Sequence, residues 1–412
     1  MKRHILLLLT LALIDFSGVA PASHAQTNAP LPYAEHGPYA VGVRAVAIDR
    51  EARSLAALVW YPALNPDDLP EAITYVRAEG EQSGHALLDA APDLANGPYP
   101  LVVFAHGNGG WNSQAAYLTE HLASWGFVVM AADHPGSSFP AFAAGEGQID
   151  ALARRPLDVL AQIDYLDAAA AADEGPFAGL VDLESIAITG HSFGGNTALA
   201  AAGARLDFGA FNAWCDAPEQ VTFDPARDPV LLAAPAPPGY EARICALRNT
   251  AEGFARARDL STTPDGLWPA TTDPRIRAVV AMAPSRWQLF GADGLAAITA
   301  PALVMVGTAD SFAVPEYETY PIYQQVGSTH KALVAFVDGG HNFFVEACET
   351  FTMQFDPQYC SDPAWNMAAA HVLVRHFVTA FLQATLYGDA TAAGMLVPDA
   401  VDVAGIQYAA TF

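Results

Sequence analysis

The chain reads as α/β: a mostly parallel central sheet flanked by helices, with an extra segment inserted late in the sheet. Two observations carry this reading. Six short runs, at 101–105, 127–132, 185–189, 276–282, 302–307 and 332–337, are apolar nearly from end to end, as strands buried on both faces are. Helix-capable sequence separates each run from the next, and this alternation gives parallel strands joined by crossover helices. Two further strands, at 41–48 and 55–61, precede the series and are joined by a polar turn.

The connections are legible to different degrees. Residues 67–98 are polar and turn-rich. An amphipathic helix is expected at 115–125, a longer one at 149–172 with Pro156 near a turn or kink, one from the 190s to about 202, and one at 365–386. About seventy residues separate the helix after Ser192 from the run at 276, too many for a simple crossover. Residues 205–275 are therefore read as an insertion or lid within a catalytic domain at 37–387, with 388–412 as a C-terminal tail.

Composition sets the outer limits. With 412 residues, 52% hydrophobic and 15% charged, the chain can bury a large core. Its net charge of −25 argues against nucleic acid and anionic membranes as partners. Residues 1–25 read as a cleaved secretory signal. Lys2, Arg3 and His4 form a basic start, 5–14 is an apolar run shorter than a membrane span, and Ser23-His24-Ala25 fits a small-x-small cleavage site. No later run reaches 18 uninterrupted apolar residues. A secreted or periplasmic protein without stable membrane insertion is expected. Its four cysteines then favour disulfides, and proximity favours Cys215–Cys245 and Cys348–Cys360.

The chemistry centres on Gly190-His191-Ser192-Phe193-Gly194, which fits a nucleophile elbow. A strand precedes it and a helix follows, the context the pattern requires. A serine hydroxyl is barely ionised at neutral pH and needs a base. His341 stands on a Gly-rich loop just after the last buried run, at the sheet edge that carries Ser192. The base needs an acid to fix its tautomer. Asp310, just past the run at 302–307, is the choice, with Asp338 and Asp133 as rivals. The order Ser192, Asp310, His341 suits this chemistry.

An oxyanion hole requires two backbone N–H groups. Phe193, following the nucleophile, is one. Asn108, in His106-Gly107-Asn108-Gly109-Gly110 after the first buried run, is the other, with Gly107 and Gly109 one residue away in register. His134 either shapes the substrate pocket or supports the site from behind, and Trp287 and Phe290 are either pocket walls or packing residues. His191 is expected to pack or hydrogen-bond, pointing away from the nucleophile, and His371 to be structural. No residue spacing matches a metal site.

Together "GPYAVGVRAVAI", "VWYPA", "VVFAHGNGG", "AADHPGSSF", "ITGHSFGGNTALA", "LFGADGLAAITAPALVMVGTAD" and "DGGHNFF" resemble bacterial exported hydrolases. These are related to plasma-type platelet-activating-factor acetylhydrolase and to predicted dienelactone hydrolases. The resemblance spans roughly 37–386. It implies an α/β-hydrolase fold, serine esterase chemistry, no cofactor, a triad of Ser192, Asp310 and His341, and an oxyanion hole at Asn108 and Phe193. True dienelactone hydrolases carry a cysteine where this chain has Ser192, and 205–275 has no matched counterpart.

The expected activity is hydrolysis of small or polymeric carboxylic esters through an acyl-enzyme. The alternatives keep the triad and change the substrate to a polyester, a lipid or a short-acyl phospholipid. The remaining rivals are a peptidase and a non-catalytic binding protein.

Overall fold

A computed structural model describes residues 31–50, 54–77, 80–145, 148–219, 221, 237–352 and 356–412. The expected signal at 1–25 lies outside the described residues. The chain opens with the antiparallel pair β1 (Ala40–Ile48) and β2 (Leu55–Ala63). A separate hairpin, β3 (Ile73–Arg77) and β4 (Gly80–Gly84), follows, then the two-residue strand β5 (Leu87–Leu88) beside β1. The main series is β6 (Tyr99–Ala105), β7 (Val128–Ala132), β8 (Val181–His191), β9 (Ile276–Met282), β10 (Ala302–Gly307) and β11 (Lys331–Phe336). These pair in parallel, and β12 (Ile406–Ala410) closes one edge antiparallel to β11. The ten-stranded order is β12-β11-β10-β9-β8-β6-β7-β2-β1-β5.

Every residue of β6, β7, β10 and β11 is buried. That is why these strands read as continuous apolar runs. Alternate residues serve opposite faces. On β6, Leu101 and Val103 join one core with Val159, Ile163 and Leu199. Val102 and Phe104 join the other with Leu118, Val374 and Phe377.

Helices cover both faces: α1 (Ala116–Ser124), α2 (Phe139–Ala143), α3 (Gln148–Ala170) and α4 (Phe193–Ala201) in the first half of the chain. Then come α5 (Phe208–Asp216), α6 (Tyr240–Cys245), α7 (Ala251–Ala257), α8 (Gly291–Ala296), α9 (Thr319–Gln325), α10 (Met367–Leu382) and α11 (Ala390–Gly394). Helix α3 continues past Pro156, where the sequence suggested a turn or kink. The buried stripe Ala153, Val159, Ile163 and Leu166 holds both halves against the sheet and offsets the one backbone bond that proline removes. The stretch Met367–Tyr387 is long and apolar enough to cross a membrane, but 67% of its most apolar window is buried inside the protein.

Cys215 pairs with Cys245 and Cys348 with Cys360, leaving no free cysteine. Two disulfides are compatible with an extracellular protein. Within the 205–275 segment, Phe208, Phe211, Phe254 and Trp268 are buried and pack as a ring cluster. Both Arg205 Nε and Nη2 donate back to the carbonyls of Trp268 and Leu267. The described part of this insertion is thus stitched into the body of the protein. Two regions with no legible pattern also contribute structure: 67–98 supplies β3 to β5, and the stretch after 388 supplies α11 and β12.

The order of the sheet fixes where a site can lie. After β6 the chain steps to β7 on one side, then back across β6 to β8 on the other. Such a switch point opens a crevice outside the carboxyl ends of the strands.

Candidate active site

Ser192 stands in that crevice, between the end of β8 and the start of α4. Its backbone is forced to φ 57°, ψ −119°, a region a side-chain-bearing residue adopts only under constraint. Ser192 N–H donates to the Met282 carbonyl at 2.8 Å, tying the turn to the neighbouring strand β9. The flanking glycines explain themselves in atoms. A Cβ at Gly194 would lie 1.8 Å from the Ala105 carbonyl oxygen, and one at Gly190 would lie 2.4 Å from the Gly194 oxygen. Only bare backbone fits on either side of the serine.

Strand ends β10 and β11 bring two more groups to the same edge. His341 Nε2 lies 2.8 Å from Ser192 Oγ, and His341 Nδ1 lies 2.6 Å from Asp310 Oδ2. The other Asp310 oxygen accepts the N–H groups of Phe312 and Ala313, each at 2.8 Å. Burial pushes the Asp310 carboxyl up, but the His341 charge, its hydrogen bond and the two amides outweigh burial and hold it below the usual range. The rivals are placed elsewhere. Asp338 is exposed. Asp133 accepts from Arg77 Nη2 and from the Asn112 N–H. His191 Nε2 donates to the His341 carbonyl at 2.9 Å, away from the serine hydroxyl, and burial pushes its pKa down to about 3. His371 stacks on Tyr117 with ring centroids 3.6 Å apart, and its Nε2 lies 2.9 Å from the Val345 carbonyl.

The loop after β6 has four N–H groups between Gly107 and Gly110. Gly107 donates to Gln114 Oε1, Gly109 to the Ser137 carbonyl and Gly110 to the Gly107 carbonyl. Asn108 N–H has no acceptor among the described residues. Phe193 is the first residue of α4, where an N–H has no intrahelical partner. Each therefore carries an N–H left over by the local hydrogen bonding.

Two residues expected at the substrate pocket have buried side chains. His134 is 0% exposed; its backbone N–H donates to His106 Nε2, and its Nδ1 lies 3.2 Å from Asp158 Oδ2. It braces His106 at the start of the loop after β6. Trp287 is buried, donates from Nε1 to the Tyr317 carbonyl and packs edge-on against Trp214 of the insertion. Phe290 is likewise buried in the core. All three stand near the reacting edge, as expected, but their side chains turn inward.

Three residues with a place at the site were missed. Arg155 is 0% exposed, donates from Nη2 to the His106 carbonyl and lies 4.7 Å above the Phe193 ring. Its signal was present: it shares a helix stripe with Ala151, Val159 and Leu166, an apolar face where a charge needs a reason. Gln114 anchors Gly107. Trp111, just past the glycines, forms part of a cleft wall beside Asn108.

A doubly flanked parallel sheet, with a serine on a strand-to-helix elbow and a histidine and an aspartate on later strand ends, defines a hydrolase of the α/β type. The model of the alpha/beta hydrolase family matches residues 102–352, and the chain belongs to that family. Among curated proteins no match is found.

Proposed function

We propose that this chain is an exported serine hydrolase that cleaves carboxylic esters through an acyl-enzyme. The observation that carries the reading is the unbroken relay from Asp310 Oδ2 through the His341 ring to Ser192 Oγ, at 2.6 and 2.8 Å. His341 Nε2 takes the hydroxyl proton as Ser192 Oγ attacks the ester carbonyl. Asp310 holds the ring with Nδ1 protonated and stabilises the imidazolium. The N–H groups of Asn108 and Phe193 receive the developing oxyanion, each worth on the order of 10²–10³ in rate in comparable sites. The proton on Nε2 then passes to the leaving alcohol, and water repeats the sequence on the acyl-enzyme.

Export rests on the basic and apolar start of the chain, the small-x-small site at Ser23-His24-Ala25 and the two disulfides. N-terminal sequencing of protein secreted by a Gram-negative host is expected to begin at Gln26. For the chemistry, Ser192→Ala is expected to lose nearly all hydrolysis of p-nitrophenyl acetate and butyrate, and all labelling by a fluorophosphonate probe. A variant that keeps most of either overturns the assignment.

A further inference from the structure

A cleft of about 110 Å³ opens between the loop after β6 and the segment that follows His341, with neither Ser192 nor His341 in its lining. Its walls include Asn108 and Gly109 of the loop after β6, and Asn342, the residue after His341. The rest is mainly aromatic: Trp111, Phe139, Phe142, Phe351 and Tyr359, with Val345, Cys360 and the polar Gln114 and Glu346. None of the described residues of the 205–275 insertion lines it.

The rings are held in place. Trp111 Nε1 donates to Gln82 Oε1 at 3.1 Å, so the hairpin β3–β4 fixes the indole, and Gln82 itself is bridged to Phe351. Trp111 meets Phe139 at 85° and Phe351 at 82°, with centroids 6.4 and 5.6 Å apart. Perpendicular neighbours set a ring face beside a ring edge, the arrangement that accepts a further ring edge-to-face or offset. Gly109, at φ +72°, lets Phe142 close the mouth, since a Cβ there would lie 3.0 Å from that ring.

Exposure makes the same point. Among the described residues, the exposed aromatic side chains are Phe142, Phe312, Tyr359 and Tyr387. Phe142 and Tyr359 line this cleft, and Phe312 packs against the His341 ring with centroids 5.2 Å apart. Exposed apolar surface gathered at one concave place marks a binding site. The volume is of the order of the ~150 Å³ cavity that holds one benzene ring, and too small to enclose a long alkyl chain. The chain's charge of −25 disfavours an anionic ligand.

We propose that this cleft is the specificity subsite of the enzyme and takes an uncharged aryl group of the ester, one ring deep. The proposal rests on the serine esterase reading for its place in catalysis. The rings on the wall select for aromatic character beyond apolar area.

The test pairs substrates that differ only in that character. p-Nitrophenyl phenylacetate is compared with p-nitrophenyl cyclohexylacetate, and benzyl acetate with cyclohexylmethyl acetate; in both pairs a methylene insulates the reacting ester from the ring. Wild type is expected to favour the phenyl member of at least one pair by roughly threefold to tenfold in kcat/KM, the worth of one good ring–ring contact. Trp111→Leu is expected to bring that ratio to about one. In parallel, calorimetric titration of Ser192→Ala with the same two pairs is expected to show the same preference in binding. Hydrolysis of every member with no phenyl preference in either pair overturns the subsite and leaves the esterase reading standing. Failure to hydrolyse any member, with Trp111-dependent aryl binding retained in Ser192→Ala, overturns the esterase reading and leaves the subsite. If Trp111→Leu folds with wild-type melting behaviour and keeps the full preference, the subsite assignment is wrong.

Discussion

Arg155 holds its guanidinium carbon 4.7 Å above the ring of Phe193 and donates a hydrogen bond to the His106 carbonyl. One buried cation thus touches both segments whose N–H groups face the proposed oxyanion. Arg286 lies 5.9 Å from the same ring. The Ser137 carbonyl that accepts the Gly109 N–H belongs to a residue whose hydroxyl also lies 3.5 Å from Arg155 Nη1.

Arg155 is therefore expected to act as a positioning residue. Arg155→Met leaves the buried His106 carbonyl unpaired, at a cost of about 1–3 kcal/mol, and frees the Phe193 ring. The expected result is a fall in kcat of about tenfold to a hundredfold with KM within about threefold. Affinity for a boronic acid transition-state mimic should fall by the same factor as kcat, with partial recovery in Arg155→Lys. A variant that loses melting temperature but keeps kcat assigns Arg155 to stability alone.

The elbow glycines make a prediction about tolerance. Gly194→Ala places a methyl 1.8 Å from the Ala105 oxygen, so β6 and α4 must separate. Overpacking of this kind costs about 1–3 kcal/mol or more, and here it moves the serine. Activity should be abolished even where circular dichroism shows folded protein. Gly394→Ala is the control: nothing lies within 4 Å of a Cβ there, and the change should be neutral or stabilise by up to about 1 kcal/mol.

The Cys348–Cys360 bridge staples the segment that carries Phe351 and Tyr359. Replacing both with serine should cost about 2–3 kcal/mol of stability, the usual worth of a short loop closure. It should also raise KM for aryl esters more than it lowers kcat. The matching double replacement at Cys215 and Cys245 should lower the melting temperature without changing the phenyl-to-cyclohexyl ratio. Equal effects of the two pairs on that ratio contradict this.

Stability should pass through a maximum near pH 6.5. Burial pushes Glu120 up to about 8 and Glu318 and Glu346 up to about 7, so the folded chain holds protons that the unfolded chain releases from pH 4.5 upward. That contribution falls as pH rises. Burial pushes His121, His191 and His371 down to about 3 and His376 to about 4; these favour the folded state increasingly up to about pH 6.5 and then level off. Between pH 6.5 and 8 the loss from the carboxyls outweighs the remainder of the histidine gain, and Glu120 alone should contribute a loss on the order of 2 kcal/mol. Melting temperatures at pH 6.5, 7.2 and 8.0 check the sign. Glu120→Gln should flatten the slope; a melting temperature that rises over this range contradicts the reading.

The central sheet was legible because its strands are covered on both faces, which leaves no polar alternation to blur the pattern. The site was legible for the same reason: Ser192, Asp310 and His341 each follow a strand whose end is sharp. Strand β4, Gly-Glu-Gln-Ser-Gly, hides in polar turn-like sequence because it pairs in a two-stranded hairpin outside the main sheet. Strand β12 hides because its residues are all half-buried at an edge. His134 and Trp287 show a different limit. Position along a strand gives a residue's height above the sheet, but the direction of its side chain depends on the following turn. Asp158 and the Tyr317 carbonyl, which draw those two inward, are distant in sequence.

Ser192 and the aromatic cleft are carried by different parts of the chain. Ser192 is locked between β8 and α4 with no room for a side chain at Gly190 or Gly194, whereas Trp111, Phe142, Phe351 and Tyr359 stand on short segments outside the central sheet. Chemistry and taste are therefore separately editable. Exchange of the segments at 139–145 or 342–360 is a route to new substrates that leaves Ser192, Asp310 and His341 in place.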